Sequence, residues 1–181
     1  MKIVYVIIAH KNHDQIMRLY KRLNGENVSF VFHISLTSEP RLFEKVFDTL
    51  KDQHNCYFAK RAFVRWGDAG DVQAALNAID TICDNRIDYD YAILLSGQCY
   101  PIKPHTFISQ TLEKNQGKQF VEYIPFSEME HGLAHRIEPY HFWLGNFHFW
   151  YPHKGRRHKL LATLFDYLIS PFIPKKPPLP Q

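Results

Sequence analysis

Polar and charged side chains gather where four apolar runs of this sequence end. In chain order they are His10, Lys11, His33, Ser35, the tripeptide Arg65-Trp66-Gly67, and the loop Ser96-Gly97-Gln98-Cys99-Tyr100-Pro101-Ile102-Lys103. In α/β sheets, ligands bind beyond the carboxyl ends of the strands. The pattern therefore indicates one binding site for a polar ligand. Gly97 and Pro101 equally suit a loop whose composition serves only its shape.

The glycine-rich loops that usually hold nucleotides are absent from this sequence. After the first apolar run, Ile3–Ala9, the chain continues as His10-Lys11-Asn12 without a glycine. A P-loop, a G-x-S-x-G elbow and an H-E-x-x-H pair are also missing. If the ligand carries phosphates, we therefore expect side chains to bind them.

The elements that must position these residues alternate between strands and helices. We predict strands at Ile3–Ala9, Val28–Ile34, Cys56–Ala59, Tyr91–Leu95 and Phe120–Ile124, and helices at Gln15–Leu23, about 40–51, Asp71–Cys83 and 104–114. The alternation predicts an α/β layered domain with a mainly parallel sheet.

Two of the predicted helices have specific sequence signals. Ser38 is expected to cap the helix over 40–51, with Pro40 in its first turn. In the helix over Asp71–Cys83, apolar residues recur at helical spacing and are expected to form its packed face. These residues are Val72, Ala75, Leu76, Ile79 and Cys83.

Composition and charge narrow the class of protein. Of 181 residues, 45% are hydrophobic and 22% charged, which excludes a disordered tail, a collagen-like repeat and a disulfide scaffold. The net charge of +4 comes from residues 151–181, which carry six Lys and Arg against the single acid Asp166. A nucleic-acid binder usually has a basic stripe across its fold, so we expect no nucleic-acid partner. Three cysteines without metal spacing and no apolar run of about 20 residues predict a cytoplasmic protein.

Several motifs, in matching order and spacing over about residues 1–170, resemble the Core-2/I-branching glycosyltransferase family. The most specific is Leu94-Leu95-Ser96-Gly97-Gln98-x-Tyr100-Pro101-Ile102-Lys103. The others are Ile7-Ile8-Ala9-His10-Lys11-Asn12, Phe32-His33-Ile34, Trp66-Gly67 with Val72-x-Ala74-x-Leu76, Asp88-Tyr89-Asp90-Tyr91, Phe120-Val121-Glu122-Tyr123 and Arg136-Ile137-Glu138-x-Tyr140.

The resemblance implies a GT-A-like fold and inverting transfer of a sugar from a UDP donor to an acceptor hydroxyl. The implied donor sugar is of the N-acetylglucosamine or xylose type, and the bacterial relatives suggest surface or capsular polysaccharide as the product. The implied partners are a UDP-sugar and a glycan acceptor, and no cofactor is expected. The alternative is an inactive sugar-nucleotide-binding remnant, or an interaction module that depends on a partner.

The resemblance also implies catalysis without a divalent metal, and the sequence agrees. Asp88-Tyr89-Asp90 has the D-x-D spacing of metal-binding transferases, but it precedes the strand Tyr91–Leu95. It is therefore expected at the amino end, away from the ligand, as a solvated turn. Ser96 and Gln98 at the carboxyl end are poor ligands for Mg²⁺ or Mn²⁺.

Without a metal, protein cations must stabilise the leaving UDP, and Lys11 and Lys103 are available after two strands that we expect to be inner ones. Gln98 and Tyr100 are the strongest single predictions for donor contact. Trp66 suits either a ring beside the donor or packing under the next helix, and the two histidines suit either nucleotide binding or strand-end capping. The predicted donor-binding residues are His10, Lys11, His33, Trp66, Gly67, Ser96, Gln98, Tyr100 and Lys103.

This chain departs from the family pattern at three positions and in length. Ser35 and Cys99 stand where relatives usually carry acids, and Gly70 stands where a serine is frequent. The family's catalytic domains are longer, so the fold is expected to be incomplete at the carboxyl terminus. No general base is identified, because Glu122, Glu128, Glu130 and Glu138 are each expected to be structural or solvated.

We expect three segments. Residues 1–125 form the nucleotide-sugar-binding α/β domain, 126–155 an aromatic and histidine-rich loop, and 156–181 a basic amphipathic helix with a proline-rich end. His131-x-x-x-His135 has a zinc-compatible spacing that Gly132 weakens. The aromatic loop suits an acceptor groove or, as we favour, an apolar surface covered by further chain. The basic helix is expected to dock on the domain or rest on the inner face of a membrane.

Overall fold

In the computed structural model of this chain, the described residues are 1–65, 68–122, 124–125, 140–144, 147–151, 167–168 and 170–173. The chain divides into two compact units, Met1–Lys118 and Gln119–Gln181. The first unit alternates strands and helices in the order β1 Ile3–Ala9, α1 His13–Leu23, β2 Val28–Ile34, α2 Leu42–Leu50, β3 Cys56–Phe58, α3 Gly70–Asp84, β4 Tyr91–Ser96 and α4 His105–Lys114.

The four strands of the first unit form one parallel sheet in the order β3-β2-β1-β4. This confirms the predicted α/β layered fold with a parallel sheet. β1 and β2 are central and buried on both faces, which explains why each is a nearly unbroken apolar run. One face packs under α1, α2 and α4 around Tyr5, Phe30 and Phe32. The other face carries Val4, Val6 and Val31 and packs under α3.

β4 is an edge strand among the described residues, whereas the sequence predicted an inner one. Its burial alternates residue by residue, and Leu94 is 60% exposed. Leu94 pairs in register with Val6, so it lies on the same face of the sheet as α3. The main contacts of α3 are with β2, β1 and β3, and the residues of β4 on this face, Ala92, Leu94 and Ser96, are exposed.

α3 packs through a different face from the predicted one. The buried residues are Ala74, Asn77, Ala78 and Ile82, whereas Val72, Leu76 and Ile79 are 63%, 48% and 52% exposed. Cys83 is exposed as well. Small alanine side chains let the helix axis approach the sheet closely, and Asn77 donates from Nδ2 to the carbonyl oxygen of Lys60 at 2.8 Å. The helix therefore presents its larger apolar residues outward.

α2 begins two residues later than predicted. Arg41 precedes it with φ 60°, and no side chain caps the helix. Ser38 is instead part of a turn in which its N–H donates to the Ser35 carbonyl oxygen at 3.2 Å. The left-handed residue Arg41 separates this turn from the helix, so Pro40 lies outside it.

The predicted strand at Phe120–Ile124 is also wrong. Phe120, Val121, Glu122 and Ile124 are described without strand pairing, and Phe120, Val121 and Ile124 are exposed by half or more. An apolar run forms a strand only where a neighbouring strand supplies hydrogen bonds. The described residues offer none here.

The second unit contains a hairpin where the sequence predicted a loop. β5 Tyr140–Leu144 and β6 Phe147–Tyr151 pair antiparallel, with Trp143 opposite His148. A short 3-10 helix covers Ser170–Phe172. His131, His135, His153 and residues 156–166 of the predicted basic helix lie outside the described residues. Over the part of the chain that is described, no helix has both the length and the apolar character to cross a membrane.

Candidate functional site

The carboxyl end of β1 leads directly into the amino terminus of α1. His10 and Lys11 are exposed there, and Asn12 adopts φ 64°. The Oδ1 atom of Asn12 accepts a hydrogen bond from the N–H of Gln15 at 3.2 Å, which caps α1. The Asn12 N–H in turn donates to Oε2 of Glu39 at 3.0 Å. The positive end of the α1 dipole therefore lies next to Lys11 in the chain, and the carboxylates of Glu39 and Asp14 lie at the same terminus.

The loop after β4 packs against this same region. The Gly97 N–H donates to the carbonyl oxygen of Ile8 at 2.8 Å. A Cβ atom at position 97 would lie 2.5 Å from Cβ of Ala9, so only glycine fits this contact. Gln15 of α1 donates from Nε2 to the carbonyl oxygen of Cys99 at 3.1 Å. These bonds fix the loop beside the beginning of α1.

The predicted contact residues of this loop are open to solvent. Ser96 and Gln98 are exposed, and Tyr100 is 53% exposed. Ser96 holds the turn, because its Oγ accepts from the Gln98 N–H at 3.3 Å. The Gln98 side chain makes no hydrogen bond to another described residue. Lys103 places its Nζ 5.3 Å from the centre of the Phe107 ring, a cation–π contact.

His33, at the end of β2, is buried rather than exposed. Its Nε2 accepts a hydrogen bond from the Ala62 N–H at 2.9 Å, so the neutral ring carries its proton on Nδ1. Within the described chain Nδ1 has no hydrogen-bond partner and no contact with solvent. Burial lowers the pKa of His33 below its usual 6.5, and the charge of Arg61 acts in the same direction. His33 therefore presents a neutral, buried N–H donor.

Ser35 and Arg61 join the end of β2 to the segment after β3, and sequence reasoning assigned no role to Arg61. Arg61 donates to the carbonyl oxygens of Ile34 and Ser35, each at 2.9 Å, and its guanidinium carbon lies 4.8 Å from the centre of the Phe43 ring. Ser35, 1% exposed, accepts at Oγ from the N–H of Thr37 at 3.0 Å. Ser35 thus stabilises the loop structure. No motif in the sequence signalled these long-range bonds.

Gly70 is required by a close approach between backbones. A Cβ atom there would lie 2.2 Å from the carbonyl oxygen of Phe63 and 2.8 Å from Cα of Val64. The Gly70 N–H donates to Oδ1 of Asp68 at 2.6 Å. Serine, like any other residue with a Cβ atom, cannot occupy this position without movement of the 63–64 backbone. Trp66 and Gly67, the predicted donor residues of this segment, lie outside the described residues.

Asp88 and Asp90 lie before β4, at the amino end of the sheet. Asp90 accepts at Oδ2 from the Lys2 N–H at 2.7 Å, and Asp88 forms an ion pair with the Lys2 ammonium group. The hydrogen bond between the Asp88 and Lys2 side chains, together with the attraction between their charges, lowers the pKa of Asp88 and raises the pKa of Lys2. The pair connects the starts of β1 and β4. In the described residues, no group of three or more His, Cys, Asp or Glu side chains could hold a metal ion.

The structure thus brings the exposed ends of β1 and β4 into contact, with His33 buried at the end of the neighbouring strand. His10, Lys11, Ser96 and Gln98 share this carboxyl edge. Three carboxylates also lie here: Asp14 in the first turn of α1, Glu39, which accepts from the Asn12 N–H, and Asp68, which accepts from the Gly70 N–H. The edge offers cations, a helix amino terminus and neutral polar groups, which together suit a polar anionic ligand.

The family described as Core-2/I-Branching enzyme matches residues 3–140, which include the whole carboxyl edge. The match covers well over half of the chain, so this chain belongs to the Core-2/I-branching enzyme family.

Two mouse proteins are similar to parts of it. One is an N-acetyllactosaminide beta-1,6-N-acetylglucosaminyl-transferase, 26% identical over 117 residues, or 64% of this chain and 29% of that protein. The other is beta-1,3-galactosyl-O-glycosyl-glycoprotein beta-1,6-N-acetylglucosaminyltransferase 4, 25% identical over 122 residues, or 66% of this chain and 27% of that protein. The chain spans less than a third of the length of these curated relatives.

Proposed function

We propose that this chain binds a UDP-sugar at the carboxyl edge of its sheet and transfers the sugar to a glycan hydroxyl. The proposed transfer inverts the anomeric centre, uses a donor of the N-acetylglucosamine or xylose type, and needs no divalent metal. The observation that carries the proposal is the contact between the loops that follow β1 and β4. This contact lies inside the family match, and the names of both similar proteins describe N-acetylglucosaminyltransferases.

In this proposal the diphosphate lies against the beginning of α1. Backbone N–H groups and the dipole at a helix amino terminus favour a bound anion, and Lys11 adds a full positive charge beside them. Lys103 supplies a second cation from the loop after β4. Together they stabilise the charge that develops on the leaving UDP.

The uncharged polar groups of the edge are proposed to bind the uridine and the sugar. Gln98 has a carboxamide that bonds to no other described residue, Tyr100 a half-exposed ring, and His10 an exposed imidazole. His33 stays neutral because burial lowers its pKa, and its Nδ1–H, which has no contact with solvent, can reach a ligand only if the residues around it move. Ser96 shapes the turn that presents Gln98. Trp66 and Gly67 are proposed as donor-binding residues from the sequence alone.

The location of Asp88 and Asp90 supports a metal-independent reaction. Both carboxylates bind Lys2 at the amino end of the sheet, and the carboxyl edge lies at the opposite end of the same strands. We therefore propose that lysine side chains replace the metal ion of D-x-D enzymes.

The experiment measures release of free UDP from UDP-N-acetylglucosamine, UDP-xylose and UDP-glucose in the presence of mixed oligosaccharide acceptors. We expect acceptor-dependent UDP release from at least one donor, unchanged by EDTA. Release that stops with EDTA and returns with Mn²⁺ would contradict metal independence. Failure to bind any of these nucleotides would contradict the function itself.

A second candidate function is sugar-nucleotide binding without turnover. Transfer needs a general base within hydrogen-bond reach of the acceptor hydroxyl. At the described edge, the Glu39 and Asp68 carboxylates are engaged with backbone N–H groups, and Asp14 Oδ1 lies 3.2 Å from Nδ1 of His13, which favours this candidate. This second candidate function predicts that UDP binds as tightly as it would in an active transferase. It also predicts that no acceptor causes release of UDP from a UDP-sugar.

The acceptor that we propose is a growing surface or capsular polysaccharide, with the protein in the cytoplasm at the inner face of the membrane. The resemblance to bacterial members of the family and the basic composition of residues 151–181 support this location. Co-sedimentation with vesicles containing anionic lipid tests it. Binding that disappears in high salt is expected, and equal binding to neutral vesicles would contradict the proposed charge contact.

A further inference from the structure

A polar groove lies at the amino end of the sheet, opposite the carboxyl edge. Its volume is about 620 Å³, within the range of about 300–1,000 Å³ that is typical of small-ligand sites. β1 is seven residues long, so the two ends are separated by about 20 Å along the strand. The groove is lined by Lys2, Asn24, Gly25, Glu26, Asn27, Val28, Ser29, Gln53, His54, Asn55, Tyr57 and Asp88.

The sheet register explains how three of these side chains come to one face. Ser29 pairs with Val4, and Tyr57 pairs with Val31 two residues further along β2. Because side chains alternate along a strand and in-register neighbours point the same way, Lys2, Ser29 and Tyr57 share the face that α3 covers further along. Tyr57, partly buried on the outer strand β3, forms an aromatic wall.

The two loops that close the groove are held by carboxamide groups. Asn55, which is buried, donates from Nδ2 to Oδ1 of Asn24 at 3.0 Å and to the Val28 carbonyl oxygen at 2.9 Å. Asn24 in turn donates to the Tyr20 hydroxyl at 3.3 Å. This network fixes the frame of the groove, so its shape does not depend on a ligand.

Other polar groups of the groove make no hydrogen bond within the described chain. They include the Ser29 hydroxyl, the Asn27 and Gln53 carboxamides and the Glu26 carboxylate. Lys2 is paired with Asp88, so its charge is already compensated. The groove therefore offers neutral donors and acceptors with one uncompensated carboxylate, which disfavours phosphate and other anions.

We propose that this groove binds a neutral oligosaccharide. Carboxamides and hydroxyls can bond to the ring hydroxyls of a sugar as both donors and acceptors, and the Tyr57 ring offers an apolar surface for a pyranose face. The groove is separate from the proposed donor site, and glycan binding there does not require that the chain transfer sugars. In the proposed function, the groove binds a part of the glycan chain that lies far from the donor site.

The experiment uses saturation-transfer NMR and calorimetric titration of the full chain with short cello-, malto-, galacto- and chito-oligosaccharides. We expect at least one series to bind, and an excess of UDP to leave that binding unchanged. Gln53→Ala and Ser29→Ala should each weaken binding by about threefold to tenfold through loss of one hydrogen bond. Gln110→Ala, which removes the same type of side chain from an exposed position on α4, is the matched control.

The outcomes separate this proposal from the proposed function. Glycan binding that resists UDP and is weakened in the groove variants supports the groove even if no UDP-sugar is ever turned over. Binding of none of the four series, displacement by UDP, or equal effects of Gln53→Ala and Gln110→Ala would each overturn it. Thermal melts of every variant confirm that it is folded.

Discussion

A Cβ atom on Gly97 would lie 2.5 Å from Cβ of Ala9, so the turn after β4 touches the end of β1. Since both segments belong to the candidate site, this contact sets the spacing between them. We expect Gly97→Ala to reduce the free energy of unfolding by about 1–3 kcal/mol, because the added methyl overpacks a buried contact. Urea denaturation measures the change.

A double-mutant cycle identifies the contact responsible. Ala9→Gly removes the atom that the new methyl would meet, and the next neighbours of that methyl are 3.4 Å away. We therefore expect the double variant to be clearly more stable than the sum of the two single changes predicts. Strict additivity would show that the Gly97–Ala9 contact is not the cause.

Gly70→Ala should be more severe, because the added atom meets backbone as well as the Asp68 side chain. It would lie 2.2 Å from the Phe63 carbonyl oxygen, so the 63–65 segment must move. We expect faster hydrogen exchange in that segment together with a lower melting temperature. Ala69→Ser, next to it at the exposed start of α3, is the control and should be neutral or slightly stabilising as a helix cap.

Substitutions on the two apolar faces of α3 should differ in their effect on stability. Ala78 is fully buried against the sheet, so Ala78→Leu should destabilise the fold by about 1–3 kcal/mol. Leu76 is 48% exposed, and Leu76→Ala should change stability by no more than about 0.5 kcal/mol. A large loss with Leu76→Ala and none with Ala78→Leu would show that the helix packs through its other face.

α3 also shows why sequence predicted the elements better than their packing. The helical spacing of Val72, Leu76 and Ile79 was visible, but an equally periodic stripe of smaller residues packs on the sheet instead. Ala74 and Ala78 have little hydrophobicity of their own, and only tertiary structure shows that close approach favours them. Hydrophobic periodicity gives a helix and its length, and it cannot choose between two apolar faces.

For the candidate site as well, the sequence predicted the positions of residues better than their packing. The exposed strand-end residues His10, Lys11 and Gln98 follow from strand positions alone, because parallel strands end at one edge. The burial of His33 and the bonds of Arg61 depend on Ala62 and Ile34, which a local pattern does not connect. The attachment of Asp88 to Lys2 spans 86 residues and likewise had no local signal.

His33 makes stability depend on pH. Its pKa in the folded protein lies below the usual 6.5 because of burial, so the unfolded chain binds the extra proton first. Stability is therefore retained above about pH 6.5 and lost as pH falls below it, by at most about 1.4 kcal/mol per pH unit for one proton. His105, whose pKa burial also lowers, acts with the same sign.

Melting curves between about pH 7.5 and about pH 5.5 test this effect. We expect His33→Gln to have a flatter pH dependence than the unsubstituted chain, and His105→Gln to remove a separate part of the slope. An unchanged slope in His33→Gln would mean that this side chain does not titrate as its burial implies.

Asp88 provides a test of metal independence. Its carboxylate binds Lys2 at the amino end of the sheet, so Asp88→Asn should leave UDP affinity unchanged, both with EDTA and with Mn²⁺. Calorimetric titration measures it. An affinity that rises with Mn²⁺ and loses this dependence in Asp88→Asn would place a metal at the D-x-D pair.

The most direct test of the account is a thermal-shift titration with UDP in the presence of EDTA. UDP at 100 times its dissociation constant stabilises the folded state by about 2.7 kcal/mol, or about 5–10 °C for a domain of this size. At the same UDP concentration, we expect Lys11→Met to lose more than half of the shift and Lys21→Met, at the other end of α1, to keep it. No shift with UDP, or equal shifts in both variants, would contradict nucleotide binding at the carboxyl edge.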